Sequence, residues 1–317
     1  MTRVYTLAEI QRVLPKIDVV AAVREGFISY SLGKVDVPPV GELLFPDDDG
    51  EMHIKYGAIR GDDVFVVKIA TGFFGNTTRG LPPFGGCMLV LSSKTGMVLS
   101  VLLEEGELTN HRTAAAGAVA AAAMLPRHLD RIGIVGTGVQ ARLQADYLRR
   151  VTKCRALSVW GRSAENANAA AQDIAAMGFQ TDVADSLESL CRDCRLIVTT
   201  TPSTTPLLSA ELVQPGTHIT AMGADTEHKQ ELSPELLAKA DLVVSDSIAQ
   251  SQERGEVFQA RRAGAISDAD VVELGTVLQD PGHGRTSDHQ ITIADLTGVA
   301  VQDIAIAKAV LTYLEHA

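Results

Sequence analysis

Residues 131–141 read Arg-Ile-Gly-Ile-Val-Gly-Thr-Gly-Val-Gln-Ala. Gly136, Gly138 and Ala141 fill the three positions of a G-x-G-x-x-A pattern that follows an apolar strand and opens a helix. Each position has a physical task. Gly136 allows a tight turn, Gly138 lets backbone approach a pyrophosphate, and Ala141 keeps the helix close to the strand. Phosphates there meet unpaired N–H groups at the positive end of the helix, with Thr137, Val139 and Gln140 completing the turn. The next strand ends at Trp160 and runs into Gly161-Arg162-Ser163. A site for NAD places Asp or Glu here, against the ribose 2′-hydroxyl. A guanidinium and a hydroxyl suit a 2′-phosphate instead. NADP(H) is therefore the expected nucleotide, with NAD(H) as the alternative. Ser163 is equally placed to cap the following helix. Thr200 and Thr201, at the end of a later strand, are expected against the same nucleotide.

Other reactive residues form no comparable constellation. Cys191 and Cys194 make one C-x-x-C, whereas a zinc ribbon needs a second pair; two structural thiols near the start of a strand are expected. His228 and Glu231 lie near Asp225, and His218, His283 and His289 are scattered without ligand spacing, so no metal is expected. Asp47-Asp48-Asp49-Gly50 lacks the later Glu of a calcium loop and reads as a hairpin turn. His111, at the start of a helix, is expected to face solvent.

The chain that positions these residues has the balance of an ordinary globular protein: 317 residues, 46% hydrophobic and 21% charged, which excludes disorder and low complexity. Its net charge of −11 disfavours phosphate-led nucleic-acid binding and anionic membrane surfaces. The longest apolar run, residues 114–125, is shorter than the roughly 20 residues of a spanning helix. No apolar stretch follows the first charges, and four cysteines make no disulfide framework, so a cytoplasmic setting is expected.

Periodicity divides the chain in two. Residues 7–32 repeat apolar positions at helical spacing, residues 52–55, 64–69 and 88–91 read as strands, and 108–125 as an Ala-rich helix. From Arg131, strands at 132–135, 156–160, 196–200, 218–221, 242–245 and 291–295 alternate with helices at 140–150, 164–177, 187–191, 234–240 and 249–264. That alternation predicts an α/β fold, a Rossmann-type doubly wound parallel sheet. Residues 302–314 form a last helix, expected to return to the first domain. The expected domains are 1–124 with 300–317, a discontinuous α+β substrate-binding and dimerisation domain, and 125–299, the dinucleotide-binding domain.

Five segments carry a resemblance. Glu107–Gly117 contains Arg-Thr-Ala-Ala-Ala-Gly, Lys68–Asn76 reads Lys-Ile-Ala-Thr-Gly-Phe-Phe-Gly-Asn, and Gly136–Ala141 is the glycine turn. Met222–Leu232 contains Gly-Ala-Asp-Thr-Glu-His-Lys-Gln-Glu-Leu, and Leu296–Asp303 reads Leu-Thr-Gly-Val-Ala-Val-Gln-Asp. In this order the chain resembles the ornithine cyclodeaminase/mu-crystallin family. The resemblance implies a homodimer acting on a small imino or amino acid. It implies that Lys68 and Arg112 hold the substrate α-carboxylate and that Asp225 is the acid/base group at the substrate nitrogen. Thr113, Met222, Lys229 and the Thr297-Gly298 turn would line the cofactor. The chemistry agrees: Arg112 can grip a carboxylate with two bonds and Lys68 adds a point charge, while a nearby carboxylate favours an iminium.

Two departures follow. The family's early arginine is absent from Val37-Pro38-Pro39-Val40-Gly41-Glu42, and Lys55, thirteen residues before Lys68, is the candidate replacement. The acidic ribose ligand and the glutamate for a distal amine that mark a cyclodeaminase have no clear counterpart; Glu42 is nearest to the second. The expected activity is thus NAD(P)H-dependent reduction of a ketimine such as Δ1-pyrroline-2-carboxylate to an L-amino acid. The alternatives are an ornithine cyclodeaminase using bound NAD, an alanine dehydrogenase- or iminosuccinate reductase-like activity, and a non-catalytic NADPH-binding protein.

Overall fold

The computed structural model describes residues 2–315. The amino-terminal half runs β1 (Arg3–Tyr5), α1 (Leu7–Val13), α2 (Val19–Ser31), β2 (Val35–Asp36), β3 (Gly41–Phe45), β4 (Gly50–Ile59), β5 (Val64–Phe73), β6 (Phe84–Ser92), β7 (Val98–Leu102) and α3 (Glu107–Met124). There follow β8 (Ile132–Val135), α4 (Val139–Val151), β9 (Ala156–Trp160), α5 (Ala164–Ala176), β10 (Gln180–Val183), α6 (Leu187–Asp193), β11 (Leu196–Thr199) and β12 (His218–Ala221). Then come α7 (Pro234–Lys239), β13 (Leu242–Ser245), α8 (Glu256–Arg262), β14 (Val271–Glu273), α9 (Leu274–Gln279), β15 (Thr292–Asp295) and α10 (Ala300–Leu314).

Two compact units result, residues 1–113 with 299–317, and residues 114–298. The division falls inside α3 rather than at its end near residue 124. The cause is packing: Ala121 joins the core of Ile132, Ile134 and Leu157 in the second unit. At Gly117 an added Cβ would lie 2.2 Å from the Gln144 side-chain amide on α4, so a larger residue would require that side chain to move.

The first unit is a 7-stranded sheet in the order β1-β7-β6-β5-β4-β2, with β3 also paired to β4. The Asp47–Asp49 segment makes the β3–β4 hairpin turn, with Asp49 left-handed at φ 48°. Side chains alternate between faces. One row, Lys55, Lys68, Met88 and Leu102, points to the covered face, where α10 packs: a Cβ at Gly57 would lie 3.5 Å from Ile304 Cδ1. Its opposite row is apolar, with Tyr56, Val67, Leu89, Val101 and Val4 in register. Helix α10 also packs on α2, with Val301 Cγ2 at contact distance from a Cβ at Gly26.

The second unit is an 8-stranded sheet in the order β10-β9-β8-β11-β12-β15-β13-β14, parallel throughout. The chain starts at β8 in the middle, winds outward through β9 and β10, then returns to the other side with β11. The order reverses between β8 and β11, which leaves a crevice at their carboxyl ends. Strands β10 and β14 lie at the sheet's edges and escape the sequence pattern, being short and partly polar. The expected helix over 249–264 is broken into a 3-10 turn, Gln250–Gln252, and α8, because Gly255 takes φ 94° between them.

Candidate active site

The crevice of the second unit is a pocket of about 530 Å³ lined by three loops. The β8–α4 turn contributes Gly136, Thr137 and Gly138; the end of β9 contributes Trp160 through Ser163; the segment after β11 contributes Thr200 through Ser203, Thr205 and Leu207. Gly136 has φ 127°, and a Cβ there would strike Thr200 Oγ1 at 2.4 Å. Gly138 is the N-cap of α4, and a Cβ on it would meet nothing within 4 Å. The amino end of α4 is therefore open to a phosphate, while Ala141 is fully buried against the sheet. These residues fit a dinucleotide pyrophosphate.

Arg162, Ser163 and Asn166 share the rim of that pocket. Ser163 also caps α5, its Oγ accepting from the Asn166 N–H at 3.3 Å. Trp160, Asn166, Pro202, Ser203, Thr205 and Leu207 were not legible as pocket residues, since they belong to loops without a spacing signature. Thr113, Val139, Gln140, Met222, Lys229, Thr297 and Gly298 are not among the pocket's lining residues. The Thr297-Gly298 amides donate instead to the Asp246 carboxylate, at 3.1 and 2.8 Å.

Asp225 lies in the loop after β12. Its Oδ1 accepts from Lys229 Nζ at 2.7 Å, and its main-chain carbonyl accepts from Arg254 at 3.3 Å. Its carboxylate remains about half exposed. Glu231, fully buried, ties this loop to the pocket wall. It accepts from Thr199 Oγ1 (2.7 Å), Thr201 N (2.6 Å), Thr201 Oγ1 (2.7 Å) and Gly223 N (2.8 Å). Behind it, Glu256 accepts from the Glu231 and Leu232 amides, and Asp295 from Val257 N. Burial raises all three carboxyls: Glu256 well above its ordinary range, Asp295 to about 7.

In the first unit Lys68 and Arg112 are both buried, with 1% and 6% of their surfaces exposed, rather than at the surface where a strand-end lysine and a helix-start arginine normally sit. They converge on Asp303 of α10. Lys68 Nζ donates to Oδ1 at 3.1 Å, and Arg112 Nε ion-pairs with the same oxygen at 3.0 Å. Arg112 Nη1 donates to Gln302 Oε1 at 2.9 Å. Burial and the neighbouring Arg112 charge lower Lys68 to about 8, against the pull of Asp303. Glu104, buried and raised by desolvation, accepts from the Thr109 amide. Lys55 stands directly opposite Lys68 and is also buried. Two buried cations thus flank the Asp303 carboxylate, with Lys55 across the strand pair from Lys68.

His111 is partly buried, 3.7 Å from Glu107 one helical turn earlier. Burial pushes the Cys191 and Cys194 thiols up to about 12, which leaves them inert. Among the described residues no group of three or more His, Cys, Asp or Glu is placed to hold a metal ion, and no helix is long and apolar enough to cross a membrane.

Known proteins are similar to this chain over most of its length. A cyclodeaminase of Sinorhizobium fredii, itself uncharacterized, is 40% identical over 309 residues, covering 96% of this chain and 93% of the relative. A Δ1-pyrroline-2-carboxylate reductase of Bacillus cereus is 32% identical over 282 residues, 88% of this chain and 86% of the relative. An archaeal alanine dehydrogenase dimer with bound NAD superposes with a TM-score of 0.90 at 33% identity, over 99% of this chain and 96% of that one. The family profile that describes such proteins matches residues 1–316. The chain therefore belongs to the ornithine cyclodeaminase/mu-crystallin family.

Proposed function

We propose that this protein is an NAD(P)H-dependent reductase of a small imino acid, of the ketimine type represented by Δ1-pyrroline-2-carboxylate, which it converts to an L-amino acid. One observation carries the reading: Lys68 and Arg112, buried and converging on one carboxylate, are a receptor for an amino-acid head group. The dinucleotide pocket of the second unit supplies the other half of the requirement.

Lys68 and Arg112 bind the substrate α-carboxylate and so fix the adjacent imino carbon. Asp225 stabilises the protonated nitrogen and moves protons to and from it, with Lys229 holding its carboxylate. When bound, a reduced nicotinamide supplies the hydride. With the carboxylate held by Lys68 and Arg112, the imino carbon would be presented for reduction while Asp225 would balance the charge of the protonated nitrogen. Arg162 and Ser163 favour the 2′-phosphate of NADPH; the alanine dehydrogenase relative with NAD favours the unphosphorylated form. The apolar outer row of the first unit's sheet supports a homodimer: Val4 and Tyr56 are 57% and 37% exposed, and the archaeal relative is a dimer.

A cyclodeaminase is the second reading, favoured by the Sinorhizobium relative's name. Nucleotide balance separates the two, because a reductase consumes one NAD(P)H per product while a cyclodeaminase consumes none. Asp225→Asn tests the assignment of the acid/base group. It should lower kcat by about 10²- to 10⁴-fold while nucleotide affinity holds. Equal loss of nucleotide affinity would make Asp225 structural.

A further inference from the structure

The loop between β12 and α7 carries Asp225 and is fastened at both ends to the wall of the nucleotide pocket. At its start Met222 N donates to the Thr199 carbonyl at 3.1 Å, and Gly223 N donates to Glu231 Oε2 at 2.8 Å. At its end Gln230 N donates to the Ser203 carbonyl at 2.7 Å, and the Glu231 carbonyl accepts from Leu207 N and Leu208 N at 2.7 and 3.0 Å. Thr201, Ser203 and Leu207 line that pocket. The Glu231 side chain closes the ring. Its Oε1 accepts from Thr201 N and Oγ1, and its Oε2 from Thr199 Oγ1 and Gly223 N. These donors fill the roughly four lone-pair positions of a carboxylate, which an amide with one oxygen does not match. At Gly223 a Cβ would lie 2.0 Å from the Thr201 carbonyl oxygen and 2.6 Å from the Glu231 carboxyl, so the loop backbone lies directly against the pocket wall. From behind, Glu256 accepts from the Glu231 and Leu232 amides.

We propose that Glu231 is a positioning residue: it grips Gly223 with one oxygen and Thr201 with the other, and so sets the place of Asp225 relative to the bound nucleotide. The proposal rests on the reading of Asp225 as the acid/base group. Lys229 holds the Asp225 carboxylate, but it belongs to the same loop and moves with it. Glu231 is the side chain that refers this loop to the pocket wall.

Steady-state kinetics, nucleotide titration and amide hydrogen exchange on the full-length protein test it. Glu231→Gln should lower kcat about 10- to 100-fold, the loss expected of a displacement on the order of 1 Å, and change nucleotide Kd about threefold or less. Added to Asp225→Asn it should cost about twofold or less, since a residue that acts through Asp225 then has nothing left to position. Thr199→Val removes one donor from a residue outside the pocket lining. It should lower kcat about two- to tenfold by the same route, which keeps the test open if Glu231→Gln does not fold. Exchange with nucleotide bound and no substrate gives a reading apart from turnover: residues 223–227 should exchange about tenfold or more faster in Glu231→Gln, with β12 at its wild-type rate. Unchanged kcat in both variants, losses that add to that of a slow Asp225→Asn, a nucleotide affinity that weakens as much as kcat falls, or unchanged exchange would each overturn the proposal alone. Asp225→Asn as fast as the wild type would refute the acid/base reading and take the proposal with it.

Discussion

Asp303 Oδ1 lies 3.1 Å from Lys68 Nζ, joining residues 235 positions apart in the chain. The pair is buried on both sides, so removing either partner strands a charge. The same oxygen serves Arg112. Helix α10 thus sets the carboxylate against which the cations of β5 and α3 are held.

Arg112→Ala should lower kcat/KM for the imino acid by about 2–5 kcal/mol, through both KM and kcat, as loss of a buried charge-assisted contact does. Arg112→Lys should restore only part, because an ammonium lacks the two-pronged geometry. Steady-state kinetics with a saturating nucleotide measure both, and unchanged kinetics would remove Arg112 from the substrate site.

Lys68 titrates near 8, lowered chiefly by burial and secondarily by Arg112. Below that value it is cationic and holds a carboxylate; above it the attraction is lost. Affinity for an unreactive carboxylate analogue of the substrate should therefore fall as pH rises between about 7 and 9. Asp303→Asn removes an anion that raises this group, so the fall should move to lower pH. Titration calorimetry across the range gives both curves, and a flat wild-type curve would refute the role.

Arg162→Ala should weaken NADPH about 10- to 100-fold, the worth of a charge-assisted hydrogen bond, and NADH by about twofold at most. Fluorescence titration with each nucleotide decides it. Parallel losses would sink the 2′-phosphate assignment.

Asp295 is fully buried and raised to about 7, first by desolvation and then by the charges of Asp246 and Glu231. Its ordinary value is 3.8. Across the window between, the folded chain keeps a proton that the unfolded chain releases, so this group's contribution to stability falls as pH rises. Asp295→Asn, which still accepts from Val257 N, should reduce the drop in Tm between pH 5 and 8 by about 3 °C or more. Identical slopes in calorimetric melts would contradict it.

What was legible in the sequence was local. The turn Gly136–Ala141 and the loop Gly161–Ser163 are contiguous, and each residue's task follows from its neighbours, so the pocket could be read before the fold. The cation row could not be derived that way. Lys68 ends an apolar run and by itself reads as a lysine at the end of a strand; only β4, β6 and α10 closing over it bury it. In α10, Ala300 through Ile304 are all buried, so Asp303 lies on no polar stripe that would mark it. Family resemblance pointed to Lys68 and Arg112, while the carboxylate between them emerged from tertiary packing. Glu231 and Asp246 were hidden for the same reason: their partners are backbone amides from loops far apart in sequence.

The most direct test follows one atom. With NAD(P)H deuterated at the transferring C4 position and an imino acid as acceptor, the account predicts one deuterium at the α-carbon of the L-amino acid for each nucleotide oxidised. Product free of deuterium, or ornithine cyclised with no net nucleotide change while every imino acid is left intact, would contradict it.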